Sequence, residues 1–93
     1  YLGWNAKNLT LINCTIESLQ GMCYIDNLVM KNCKLLHTTL AFEYSTVDAE
    51  ITSKIDSVIN PTSGQITAES IDELILEKDK VDPSKTKIIC KKD

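Results

Sequence analysis

The sequence predicts an all-β chain folded as a right-handed parallel β-helix, a single-stranded solenoid of about four 19-residue coils with three short strands each. Three observations point there. One segment repeats at an offset of 19, apolar residues recur at that offset in columns, and within a coil they alternate with a period of two. A fixed repeat of this kind marks a stacked architecture. Alternation of two marks strands with one buried face.

The repeat is clearest where Asn8-Leu9-Thr10-Leu11-Ile12-Asn13-Cys14-Thr15-Ile16 aligns with Asn27-Leu28-Val29-Met30-Lys31-Asn32-Cys33-Lys34-Leu35. Carried onward, the offset gives the columns Leu9/Leu28/Val47/Ile66, Leu11/Met30/Ala49/Ala68 and Cys14/Cys33/Thr52/Ile71. Trp4/Cys23/Phe42 and Ala6/Ile25/Tyr44 add two more, and Leu2/Leu40/Ile59 another. In the first coil the inward pairs are 4 and 6, 9 and 11, 14 and 16. The gaps between them are one or two residues, too short for the helix or long connection of a leucine-rich repeat. Asn13 and Asn32 fall between the second and third strands, where a left-handed corner suits Asn. Coils stacked about 4.8 Å apart let the two amides bond along the axis, although a plain turn role is the simpler reading.

The coils run over 2–20, 21–39, 40–58 and 59–77, with a tail at 78–93. Ile51 and Ile55 miss their columns, so a bulge is expected after Ala49. Asn60-Pro61-Thr62-Ser63-Gly64 is turn chemistry and reads as a projecting loop. Ser70-Ile71-Asp72-Glu73 resembles a helix capping box, and Ile71, Leu74 and Ile75 have helical spacing, so a helix over 70–79 is the rival. Continuity of the columns favours strand. Lys78–Ser84 reads as a second polar loop, and Ile88 and Ile89 as a last short strand that Cys90 extends.

Composition narrows the function classes. The 93 residues are 43% hydrophobic, enough for one core and against disorder. The formal charge is −3 and all ten basic residues are Lys, so neither a nucleic-acid face nor bidentate phosphate recognition is expected. No apolar run approaches the roughly 20 residues of a membrane span. Cys14, Cys23, Cys33 and Cys90 form no C-x-x-C pair, and His37 is the only histidine, so neither a zinc site nor any other cofactor is expected. Cys14, Cys23 and Cys33 sit in core columns and read as packing thiols. The sequons at Asn8 and Asn13 fall in the most regular strands, where a glycan would be awkward. A reducing, cytoplasmic setting follows as the expectation.

Trp4, Leu19-Gln20-Gly21-Met22-Cys23-Tyr24, Phe42-Glu43-Tyr44-Ser45 and Asn60-Pro61-Thr62-Ser63-Gly64-Gln65-Ile66 resemble an uncharacterised domain-of-unknown-function family. The resemblance covers about residues 4–77. It implies a solenoid of the pectate-lyase type, with this chain similar to the C-terminal part of longer members. It brings no assigned activity, and the analogy to sugar lyases is one of fold alone.

If 4, 6, 23, 25, 42 and 44 point inward, their neighbours point out. Asn5, Tyr24, Glu43 and Thr62 then form one outer column, and Lys7, Asp26, Ser45 and Gly64 the next. Asn5, Lys7, Tyr24, Asp26, Glu43 and Ser45 are therefore the candidate ligand-binding residues: an aromatic ring beside carboxylates and amides suits a sugar. The plain alternative is a solvated face on which Lys7 pairs with Asp26. Asp26 and Glu43 fit the separation of a glycosidase pair only loosely, and no catalytic residue is assigned. The expected function is a non-catalytic module binding carbohydrate or protein. The alternatives are part of a polysaccharide lyase or glycoside hydrolase, or an assembly module. Solenoid ends need caps, and Leu2 and Trp4 already look like core. Preceding sequence or another chain is expected to cover that end, and a homo-oligomer joined through the uncapped N-terminal end follows.

Overall fold

Asparagines set many of the corners of this chain. In the computed structural model, which describes residues 5–17 and 22–91, Asn5, Asn8, Asn13, Asn27, Asn32 and Asn60 have φ between 44° and 67°. This is the left-handed region that Asn enters more readily than most residues. Between corners the chain extends into β1 (Thr10–Ile12), β2 (Thr15–Glu17), β3 (Leu28–Leu36), β4 (Thr46–Ile51), β5 (Lys54–Ile59), β6 (Ser63–Ala68), β7 (Ser70–Ile75) and β8 (Thr86–Cys90). A 3-10 turn at Pro83–Lys85 precedes β8. No α-helix occurs among the described residues.

Every ladder is parallel. The main sheet runs β1-β3-β4-β6-β8, with β2 pairing the far half of β3, and β5 pairs β7 in a second sheet. The result is a parallel β-solenoid of about four turns. The first of the three strands expected in each coil is absent at 23–25 and 42–44. A zigzag of left-handed residues replaces it, with Met22, Tyr24, Phe42 and Tyr44 at φ 55°, 55°, 67° and 49°. Leu2, Trp4 and Gly21 lie outside the described residues.

The offset of 19 holds only for the first coils. It pairs Thr10 with Val29 and Leu28 with Val47, falls to 18 at Cys33↔Ile51 and to 17 at Val47↔Gly64, and reaches 16 at Ile55↔Ile71. Leu28 and Val47 therefore stack as expected, but Gly64 continues their column in place of Ile66. Ile66 sits on Ala49 and beneath Ile88, and Ile51 takes the position over Cys33 expected for Thr52. Ala41 meets Val58 where Leu40 was expected to meet Ile59. The cause is local. Lys31-Asn32 separate Met30 from Cys33, whereas Glu50 alone separates Ala49 from Ile51, so the expected bulge removes one corner residue. Gly64, at φ 115°, fits because a Cβ there would collide with the Val47 carbonyl oxygen.

Beside the irregular stretches, hydroxyls of the third coil accept from backbone N–H groups of the neighbouring turn. Ser45 Oγ accepts from Ile25 N–H at 3.0 Å, Thr46 Oγ1 from Asn27 at 2.6 Å, Ser53 Oγ from Leu35 at 3.0 Å and Ser57 Oγ from Leu40 at 2.7 Å. A buried N–H left unpaired would cost about 1–3 kcal/mol. In the regular coils the asparagines form ladders. Asn32 Nδ2 donates to Asn13 Oδ1 at 2.7 Å, and Asn27 Nδ2 to Asn8 Oδ1 at 3.0 Å.

Cys23 and Cys33 are buried, Cys14 partly so and Cys90 exposed, all as free thiols. Residues 60–64 do not project: Asn60 and Pro61 are buried in a corner, and β6 begins at Ser63. Residues 70–75 are strand, and no helix forms there. β8 covers β6, but no strand covers β7 among the described residues. Leu74 stacks on the fully buried Val58 yet stays 41% exposed.

Candidate functional site

Two tyrosines take left-handed corners that asparagine does not fill, as Met22, His37, Leu40 and Phe42 do elsewhere. Along one edge Asn5, Tyr24 and Tyr44 follow one another from coil to coil, with φ 57°, 55° and 49°. Tyr24 N–H donates to the Glu43 carbonyl at 2.8 Å, and Tyr44 N–H to the Asn60 carbonyl at 2.9 Å. A residue other than Gly or Asn held in this conformation costs about 1–2 kcal/mol. Tyr24 and Tyr44 are thus bulky where Asn5, the rung below, is well suited. Their rings leave the corner and stack offset, centroids 5.6 Å apart and planes 30° from parallel.

Beside the rings lies a cavity of about 270 Å³ lined by Tyr24, Ile25, Asp26, Tyr44, Thr46 and Thr62. Thr46 is oriented twice over. Its hydroxyl oxygen accepts from Asn27 N–H, and its proton points to Asp26 Oδ1 at 3.5 Å. The Glu43 carboxylate raises the pKa of the Tyr24 phenol above its ordinary value, with smaller contributions from burial, Tyr44 and Cys23. The phenol therefore stays protonated and keeps a donor as well as an acceptor.

The candidate residues separate. Tyr24 and Asp26 line the cavity, Glu43 stands beside Tyr24, and Asn5 is the rung below. Lys7 and Asp26 meet as backbone neighbours in a single bridge, both exposed, and form no ion pair. Ser45 corrects the expectation: it is wholly buried, donating to the Met22 or Glu43 carbonyl at 3.2 Å while accepting from Ile25. Tyr44 is the converse, expected inward and found in the outer stack. The reason is a turn closed by Ser45 N–H to the Phe42 carbonyl at 3.1 Å. It adds a residue between the Tyr24 and Tyr44 rungs and inverts the alternation. Thr46 gave no sign in the sequence, since its role follows from that same inversion.

Other chemistry is sparse. His37 is exposed, 3.5 Å from the Glu17 carboxylate. No group of three or more His, Cys, Asp or Glu within reach of one metal ion occurs among the described residues. Among the described residues, no helix is long and apolar enough to cross a membrane.

A parallel β-solenoid carrying a surface tyrosine corner defines a repeat-type scaffold, with its distinguishing side chains on one edge. The chain belongs to the family described as protein of unknown function (DUF3737), whose profile matches residues 1–89. No curated protein and no solved structure matches it.

Proposed function

We propose that this domain is a non-catalytic module that binds a carbohydrate chain along the Tyr24–Tyr44 corner. One observation carries the reading: two tyrosines hold left-handed positions that asparagine would occupy with less strain. Strain of this kind persists where a site needs it. The rings offer faces for sugar C–H groups, while Asp26, Thr46, Thr62 and the Tyr24 phenol offer hydroxyl partners.

Affinity electrophoresis through gels containing soluble polysaccharides tests it. Retardation of the natural chain, lost in Tyr24→Asn/Tyr44→Asn, supports the reading. Free migration in every polysaccharide sinks it.

A second reading, assembly of copies end to end, rests on Leu74, which continues a buried column into solvent at β7. Light scattering across a concentration series tests it, and a monomer throughout rejects it.

A further inference from the structure

We propose that the Tyr24–Tyr44 cleft selects amino sugars, chains carrying protonated amines, over neutral or uronic-acid polysaccharides. This rests on the carbohydrate-binding reading of the same corner and names its ligand class.

The charges around the cleft carry the inference. Asp26 is its only ionic lining residue. The one hydrogen bond to its carboxylate is the long one from Thr46, so most of its acceptor capacity faces outward. A second carboxylate, Glu43, acts on the adjoining Tyr24 phenol. Two lysines stand near the cleft, and neither lines it. Lys80 lies close enough to Tyr44 to feel it, but its ammonium is held by Glu77 at 3.4 Å. Lys7 sits one coil below Asp26, on the side away from Tyr44 and Thr46, and does not line the cavity. The sequence contains no arginine to clamp a uronate carboxylate. A cation in this cleft meets one carboxylate directly and has two aromatic faces nearby, which attract it through their quadrupoles.

The chemistry separates ligands that share a backbone. A β-1,4-linked glucosamine chain, its N-acetylated form and a cellulose oligomer offer similar rings, but only the first offers ammonium groups. A galacturonate oligomer offers the opposite charge and would be repelled.

Calorimetric titration of the full chain with these four hexamers, in mildly acid buffer where the amine is protonated, decides the matter. The glucosamine hexamer should bind at least about tenfold more tightly than the two neutral ones, and the galacturonate hexamer should not bind. Asp26→Asn should erase that preference, so that the glucosamine and neutral hexamers then bind alike. Added salt should weaken only the glucosamine titration. Raising the pH until the amine is neutral should bring it down to the neutral level. Equal binding of amine and neutral chains, or preference for galacturonate, overturns the selectivity and leaves the carbohydrate reading standing. No binding of any hexamer overturns both.

Discussion

Tyr24 and Tyr44 hold a backbone conformation that suits neither, and their rings stack on each other at the edge of a cavity. Asparagine at either position keeps the corner and removes the strain. Tyr24→Asn and Tyr44→Asn should therefore leave stability unchanged or raise it by up to about 1 kcal/mol in urea unfolding, while ligand binding disappears. Loss of both stability and binding would make the rings structural. This is also where the sequence was only half legible. Tyr24 was readable as an outward ring because its coil keeps the 19-residue offset. Tyr44 and Ser45 were misread because the 42–45 turn slips the alternation by one, and a slip of one exchanges inside for outside. Nothing in the residue types announces that turn, since Phe42 and Tyr44 are unusual occupants of left-handed positions.

At the level of the coil, two devices hold neighbouring turns together, and they can be separated by experiment. Asn32 supplies both a left-handed corner and a rung of the amide ladder. Asn32→Gly keeps the corner and loses the rung, whereas Asn32→Ala loses both. Chemical denaturation should show the Ala variant less stable than the Gly variant by about 1 kcal/mol. Equal losses would mean the corner conformation contributes nothing. In the last turn the ladder changes chemistry: Asn60 Nδ2 donates to Glu77 Oε1 and Asn60 Oδ1 accepts from Glu77 N–H, each at 2.8 Å. The Asn60 amide, aided by Lys80 and opposed by partial burial, holds the Glu77 carboxyl below its ordinary value of 4.5. A depressed folded-state pKa gives stability that is complete above the unfolded value and is lost as pH falls through the folded one. Thermal midpoints should therefore drop on acidification below 4.5, and less steeply in Glu77→Gln, which keeps an acceptor but does not titrate. Asp82, held low by Ser84, should leave a residual slope. The ladder was readable from the recurrence of Asn13 and Asn32. The Asn60–Glu77 clasp was not, because its offset of 17 belongs to the shortened coils.

Across the molecule, stability should follow position along the stack. In a solenoid each turn contacts only its neighbours, so total stability is a sum of coil and interface contributions. β4 lies between β3 and β6, whereas β7 has β5 on one side and no strand on the other among the described residues. The side chains agree: Val58 in β5 is fully buried, and Leu74 directly above it is 41% exposed. Opening β7 thus breaks one ladder and releases side chains that are already partly wet, while opening β4 breaks two ladders and uncovers Val47, Ala49 and Ile51. Native-state amide exchange should rank protection β4 above β5 above β7, with the β7 amides exchanging by local opening at low denaturant. The same measurement examines the open end. If copies join there, β7 protection must rise with protein concentration while β4 protection does not, because only the end strand gains a neighbour. Uniform protection across all three strands at low concentration would contradict a β7 paired on one side only, and would require a covering segment over Leu74.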